Sequence, residues 1–133
     1  MLIPGLSFQL DEAAIPWVST GAPGVYWFPL HLEAPAGGFS GQGVDPDDAT
    51  VLIRIEPGCV YPPHHHRGIE EVLVLQGGYT DDEGSYTEGT YVRYPAGTIH
   101  APRAIGNPEA PPGENNPACV LYAVARGGVE LVT

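Results

Sequence analysis

The segment Gly58-Cys59-Val60-Tyr61-Pro62-Pro63-His64-His65-His66-Arg67-Gly68-Ile69-Glu70-Glu71 is the most informative part of this chain. His64 and His66 are two apart, and residues two apart in an extended chain project from the same face. Both imidazoles can therefore converge on one point, while His65 points the other way, to solvent or to a hydrogen-bond partner. Arg67-Gly68 lets the chain turn. Glu70 then heads the run Glu71-Val72-Leu73-Val74-Leu75. If Glu70 points inward, Val72 and Val74 share its face and give an apolar lining beyond a polar mouth. Alternation alone leaves Glu71 as a rival to Glu70. A further candidate, His100, stands thirty-four residues after His66, behind the turn Pro95-Ala96-Gly97.

Three imidazoles and a carboxylate form a mixed N/O donor set that suits Fe(II), Mn(II), Ni(II), Cu(II) or Zn(II). With four protein ligands, an octahedral metal keeps open positions for water, O₂ or a chelating substrate. A tetrahedral Zn(II) would be saturated, which points to a structural or sensing role. Plainer readings exist. A histidine run can be a surface accident or a tag, but a tag would be terminal and this run lies mid-chain. For Glu70 the plain reading is a solvated turn carboxylate. His31, in the first apolar run, reads as an ordinary, partly buried histidine.

The chain has 133 residues, which fits one compact domain, 1–133. A domain of this size buries roughly 68% of the surface its unfolded chain exposes, so it needs no metal or disulfide simply to fold. Gly and Pro are 18 and 15 residues, too many for long helices, and the 43% apolar share argues against wholesale disorder. All 5 basic residues are Arg, against 16 acidic ones, for a net charge of −11. Such a surface repels phosphate backbones and anionic lipid, which excludes nucleic acid and membrane surfaces as partners. No run approaches a transmembrane helix. Residues 1–17 lack a basic n-region and are interrupted by Pro4, Asp11, Glu12 and Pro16, so no signal peptide is expected and the location is cytoplasmic. Cys59 and Cys119 are then expected to be free, partly buried thiols.

Short apolar runs punctuated by Gly and Pro predict an all-β sandwich or barrel. The expected strands are 25–32, 50–56, 71–77, 78–80, 90–94, 118–125 and 129–132. Pro29 makes the first an edge or bulged strand. Residues 81–85 read as a hairpin connection, with Gly84 free to take positive φ. Only 11–15 has helical character. Residues 33–49 and 104–117 read as long loops, either functional or plain solvated insertions. Runs 25–32 and 129–132 are apolar edge candidates, so a homodimer is expected.

The motif spacing resembles the cupin family. Gly58, five residues, His64, one, His66, three, Glu70, six, Gly77 fits the first cupin motif (58–77) without a gap. Gly89, five residues, Pro95, one, Gly97, two, His100 fits the second motif (89–104) up to its last position, where Ala104 stands in place of the usual Asn. Within cupins, the wording around both motifs resembles the cupin-like domain of ChrR-type anti-sigma factors, whose relatives include acetylacetone dioxygenase-like and dihydroxyacetophenone dioxygenase-like enzymes. The resemblance implies a jelly-roll β-barrel with a metal inside. By position it carries ligand roles to His64, His66, Glu70 and His100, and it selects Glu70 over Glu71.

Three functions are consistent with such a site. The first is a non-haem Fe(II) dioxygenase cleaving a small carbonyl compound, a β-diketone or hydroxyaryl ketone, with Zn, Ni or Mn as alternatives to Fe(II). Val72, Val74 and Ile53 would wall its substrate pocket, with Tyr61, Trp27, Tyr91, Tyr122 and Arg93 as further pocket candidates; ordinary core or surface is the plainer reading of each. Arg103 could pair with an acidic substrate or with one of the chain's own carboxylates. The second is a non-catalytic binding or sensing cupin. Anti-sigma activity is not expected, because the segment before the first strand carries no Cys/His cluster. The third, a metal-dependent isomerase or lyase, ranks last, since acidic substrates call for a positively charged pocket.

Overall fold

The computed structural model describes residues 1–33 and 48–132. The long loop expected over 33–49 falls, apart from its ends, outside the described residues. Regular structure elsewhere is almost entirely β, with one 3₁₀ turn at Glu12–Ala14 where helical character was expected. The strands are β1 (Val18–Ser19), β2 (Val25–Glu33), β3 (Asp48–Ile55), β4 (His64–His66), β5 (Glu70–Gln76) and β6 (Gly78–Asp81). They continue with β7 (Gly84–Thr87), β8 (Tyr91–Tyr94), β9 (Ile99–His100), β10 (Arg103–Ala104), β11 (Cys119–Arg126) and β12 (Val129–Leu131). No helix among the described residues is long and apolar enough to cross a membrane.

One sheet has six strands in the order β1-β2-β3-β11-β5-β8, and two sheets have three each, β10-β6-β7 and β12-β4-β9. All named pairs are antiparallel. The result is an all-β jelly roll. Its centre is the β3–β11–β5 ladder, built from β-branched and leucine-rich runs whose alternate residues face inward. Val51, Ile55, Val72, Val74, Leu121 and Ala123 from that ladder pack with Tyr79 of β6 and Val92 and Tyr94 of β8. Burying apolar surface in this way supplies the main driving force for folding.

Of the local expectations, the bulged reading of the first strand holds and others need correction. Pro29 causes a bulge, with a register shift between Pro29 and His31, because proline has no N–H for the ladder. The start of β2 is not an edge, since β1 pairs with Tyr26 and Trp27. His31 is exposed rather than partly buried. Gly84 is not among the positive-φ glycines. Its turn is held differently: Asp81 Oδ1 accepts the N–H groups of Glu83 (2.9 Å) and Gly84 (3.2 Å).

The two histidine-bearing segments lie side by side. The Tyr61 N–H donates to the Pro102 carbonyl (2.8 Å), the Gly58 N–H to Ala104 (3.0 Å) and the Ala104 N–H to Cys59 (3.0 Å). This ladder continues into β4 and β9, where His64 pairs with His100. Ala104, in the family's Asn position, is 1% exposed against the core, and its backbone bonds hold the ladder in register.

Candidate metal centre

β4 presents His64 and His66 inward and His65 outward, as the two-residue period requires. The chain reverses through Arg67-Gly68, where a Cβ on Gly68 would collide with the Arg126 carbonyl. This close approach sets the start of β5, and Glu70 enters the interior 7% exposed. Glu71 faces the opposite side and accepts the Tyr91 hydroxyl at 2.9 Å, so the geometry separates the two carboxylates. The turn before β9 fixes the other flank. The Gly97 N–H donates to the His66 carbonyl (2.8 Å), and the His66 N–H donates to Thr98 (2.9 Å).

The ligand atoms of His64, His66, Glu70 and His100 all lie within 4.8 Å of one another, and all four residues are buried. His64 Nδ1 is 3.0 Å from the Pro62 carbonyl, and His100 Nδ1 is 3.0 Å from Asp81 Oδ2. Both partners are acceptors, so the proton of each ring is assigned to Nδ1. The two Nε2 atoms are then bare lone pairs, and they face each other at 3.0 Å. His66 Nε2 lies 3.3 Å from Glu70 Oε1, close enough for an ion pair but not aligned as a hydrogen bond, and neither nitrogen of the buried His66 ring has a hydrogen-bond partner. Buried lone pairs that converge without a donor are costly. A cation among them satisfies three imidazoles and a carboxylate at once, so the residues fit a divalent first-row metal.

Electrostatics agrees with this. Burial lowers the His64 pKa to about 4, against a smaller opposing effect of the Pro62 carbonyl. Burial also lowers His100, partly offset by Asp81. Both rings are therefore neutral near pH 7, the form that binds a metal. Burial alone would raise the Asp81 carboxyl, but hydrogen bonds from His100, Tyr94 and the Glu83 N–H hold it below its ordinary value. Sequence reasoning assigned Asp81 only a turn, and Tyr79 and Tyr94 only strands. In the fold the Tyr94 hydroxyl lies 2.7 Å from Asp81 Oδ2, and the Tyr79 hydroxyl lies 2.6 Å from that of Tyr94.

A cavity of about 60 Å³ adjoins the cluster. Its walls include Trp27, Val51, Ile53, Val72, Leu121 and Ala123, with Tyr61, Tyr79, His64, Glu70 and His100 at the polar end. No Arg lines it among the described residues. Tyr61 packs edge-on against His64, with ring centroids 4.7 Å apart. Val74 is fully buried but lies in the core beyond the cavity. Arg93, Tyr91 and Tyr122 are placed away from it. In β8, Val92 and Tyr94 turn inward and Arg93 outward, and in β11 the exposed Tyr122 sits between inward Leu121 and Ala123. Arg103 is also outside, donating to the Gly58 carbonyl at 2.8 Å.

Residues 7–109 match the family model of the ChrR cupin-like domain. Among solved structures, the anti-sigma factor ChrR of Rhodobacter sphaeroides, in complex with SigE, is 26% identical with a TM-score of 0.61. That match covers 85% of this chain and 49% of ChrR, so this chain spans about half the length of that protein. An RmlC-like cupin protein from Ralstonia eutropha is 19% identical with a TM-score of 0.66, covering 96% of this chain and 73% of that one. An acetylacetone dioxygenase from Acinetobacter johnsonii is 14% identical with a TM-score of 0.65, covering 100% of this chain and 80% of that one. At such low identity the last two establish the fold alone. No curated protein matches this sequence.

Proposed function

This chain belongs to the ChrR cupin-like domain family, and from that premise we propose that it is a non-haem Fe(II) dioxygenase acting on a small β-diketone-like carbonyl compound. The observation that carries the reading is the junction of a buried three-histidine, one-carboxylate cluster with an apolar cavity. His64, His66, Glu70 and His100 would hold the metal. When bound, a divalent metal supplies Lewis acidity and, as Fe(II), redox chemistry with O₂. Val51, Ile53, Val72 and Leu121 exclude water and hold the carbon skeleton of the substrate. Tyr61 and Trp27 confine it from the sides.

Size and charge narrow the substrate. A cavity of about 60 Å³ has room for about two waters at their liquid volume of roughly 30 Å³ each, so it favours the smaller carbonyl compounds. An acyclic β-diketone is closer to that size than a hydroxyacetophenone. The absence of Arg from the described lining disfavours sugar acids and other strongly anionic substrates, and with them the isomerase or lyase reading.

A non-catalytic binding or sensing role is the second reading. It draws on the family match and on the likeness to ChrR. Elemental analysis of protein purified without added metal, followed by anaerobic Fe(II) reconstitution and O₂ uptake across β-diketones and hydroxyacetophenones, separates the two. Substrate-dependent O₂ uptake is the expected result. Tightly held zinc that iron cannot replace, with no uptake for any member of the panel, overturns the enzyme reading in favour of the sensor.

A further inference from the structure

We propose that Asp81 is the positioning residue of the metal centre: the hairpin turn that carries it fixes which nitrogen of His100 bears the proton, and Tyr79 and Tyr94 lock it in place. The inference rests on the metal-binding part of the reading above, not on its reaction.

The Asp81 side chain is 1% exposed, and both of its oxygens are engaged. Oδ1 accepts the N–H groups of Glu83 and Gly84, at 2.9 and 3.2 Å. Oδ2 accepts the Tyr94 hydroxyl at 2.7 Å and lies 3.0 Å from His100 Nδ1. A carboxylate only accepts, so all four neighbours must donate. Tyr94 has one hydroxyl proton and gives it to Asp81. Tyr79, 2.6 Å away, must then donate to Tyr94. The donors therefore run Tyr79 to Tyr94 to Asp81, met from the other side by His100 Nδ1–H. This leaves His100 Nε2 bare and directed at His64 Nε2, 3.0 Å away. The Tyr94 ring, centroid 4.3 Å from that of His100, confines the imidazole as well.

The two roles of Asp81 are joined by geometry. It ends β6 opposite Gly84, and the same carboxylate closes the turn and faces the ligand. An Asn is nearly isosteric here but carries donors on one side. The two backbone N–H groups cannot become acceptors, so the Asn oxygen stays with them. Its NH₂ then faces His100 Nδ1, which must accept, and the imidazole proton moves to Nε2, where the metal should bond. Loss of such an outer partner typically costs about 10–100-fold in metal affinity.

The test is a Zn(II) titration against a chromophoric chelator for wild type, Asp81→Asn and Tyr94→Phe, with imidazole ¹⁵N–¹H correlation spectra of each metal-free protein. Wild type should bind Zn(II) and show His100 as the Nδ1–H tautomer. Asp81→Asn should bind about 10–100-fold more weakly and show the Nε2–H tautomer, a change that a merely structural role would not produce. Tyr94→Phe keeps the ring and should keep Nδ1–H with a smaller loss of affinity. Wild-type binding by Asp81→Asn with an unchanged tautomer overturns the inference while leaving the metal site standing. If Asp81→Asn does not fold, a wild-type His100 in the Nε2–H form, or a Tyr94→Phe affinity equal to wild type, overturns it. A wild type that binds no Zn(II) overturns the metal reading and this inference together.

Discussion

His64 and His100 face each other across β4 and β9 with their Nε2 atoms 3.0 Å apart, each ring tethered through its Nδ1 to an acceptor behind it. His100 stands thirty-six residues after His64, yet register alone makes the contact: the pair is the continuation of the ladder that joins 58–61 to 102–104. Two neutral imidazoles held with lone pairs converging repel unless a cation lies between them.

Ligand substitutions should follow this geometry. His64→Ala, His66→Ala or His100→Ala each removes one buried donor and should strip most of the metal on dialysis against a mild chelator. His65→Ala, on the outward side of the same strand, should leave the content at wild-type level. Inductively coupled plasma mass spectrometry on the dialysed proteins decides. A wild-type metal content in the His64→Ala, His100→Ala double variant would contradict the ligand assignment.

Acid should destabilise the metal-free protein. The folded pKa of His64 is about 4 against an ordinary 6.5, so between those values the unfolded chain binds more protons and stability rises with pH. The contribution is fully present above about pH 6.5 and is lost by about pH 4, on the order of 3 kcal/mol. His100, lowered by burial, acts in the same direction, and Asp81, held below its ordinary value, extends the loss to lower pH. Metal-loaded protein should resist acid until protons displace the ion. Urea midpoints measured at half-unit intervals read this directly. A metal-free midpoint that stays flat from pH 7 to 4.5 would show that the buried rings do not control it.

The strands were legible where β-branched residues alternate, as in β3, β5 and β11, because period-2 burial leaves its mark on composition. β4, β9 and β10 were not legible as strands. They consist of two or three residues, mostly His, Ala and Arg with low strand preference, and they form because distant segments offer them backbone partners. The four residues of the candidate metal cluster were legible as a group because their spacing is local within each motif. Asp81 was not, since its turn signal is complete without His100 and the two meet only when β6 and β9 come together. Arg93, Tyr91 and Tyr122 were misplaced through phase, not period. A strand's alternation is visible in sequence, but the face that turns inward is chosen by the neighbouring strands, here Val92 opposite Val72 and Leu121 opposite Val74.

Gly68→Ala should damage both stability and the metal site. The added Cβ meets the Arg126 carbonyl, backbone that cannot rotate aside, so β5 must shift relative to β11. An overpacked site of this kind costs about 1–3 kcal/mol. Because Gly68 lies between His66 and Glu70, the shift also moves the carboxylate away from the imidazoles. Thermal melts with and without Zn(II) should show a lower midpoint and a smaller metal-induced increase than in wild type. An unchanged increase would mean that Glu70 holds its place without the tight turn.

The cavity walls supply a separate handle on the ligand. Ala123 is 2% exposed and sits in β11 facing the cavity, so Ala123→Leu places three more carbon atoms into about 60 Å³. The ligand cluster lies on other strands, β4, β5 and β9, and should still bind metal. Substrate binding should fall by a large factor while metal affinity changes little. Ile53→Ala should do the opposite, admitting bulkier carbonyl compounds at a stability cost below the roughly 2–5 kcal/mol of a fully buried side chain, since Ile53 is only partly buried. Arg93→Ala and Tyr122→Phe, on the outer faces of β8 and β11, serve as controls and should leave both affinities within twofold or so of wild type. Calorimetric titration of each metal-free variant with Zn(II), and then of the Zn(II)-loaded form with acetylacetone, reads the two affinities apart. If Arg93→Ala weakened ligand binding as much as Ala123→Leu, the ligand would have to reach the outer face of the sheet, and the cavity would not be its site.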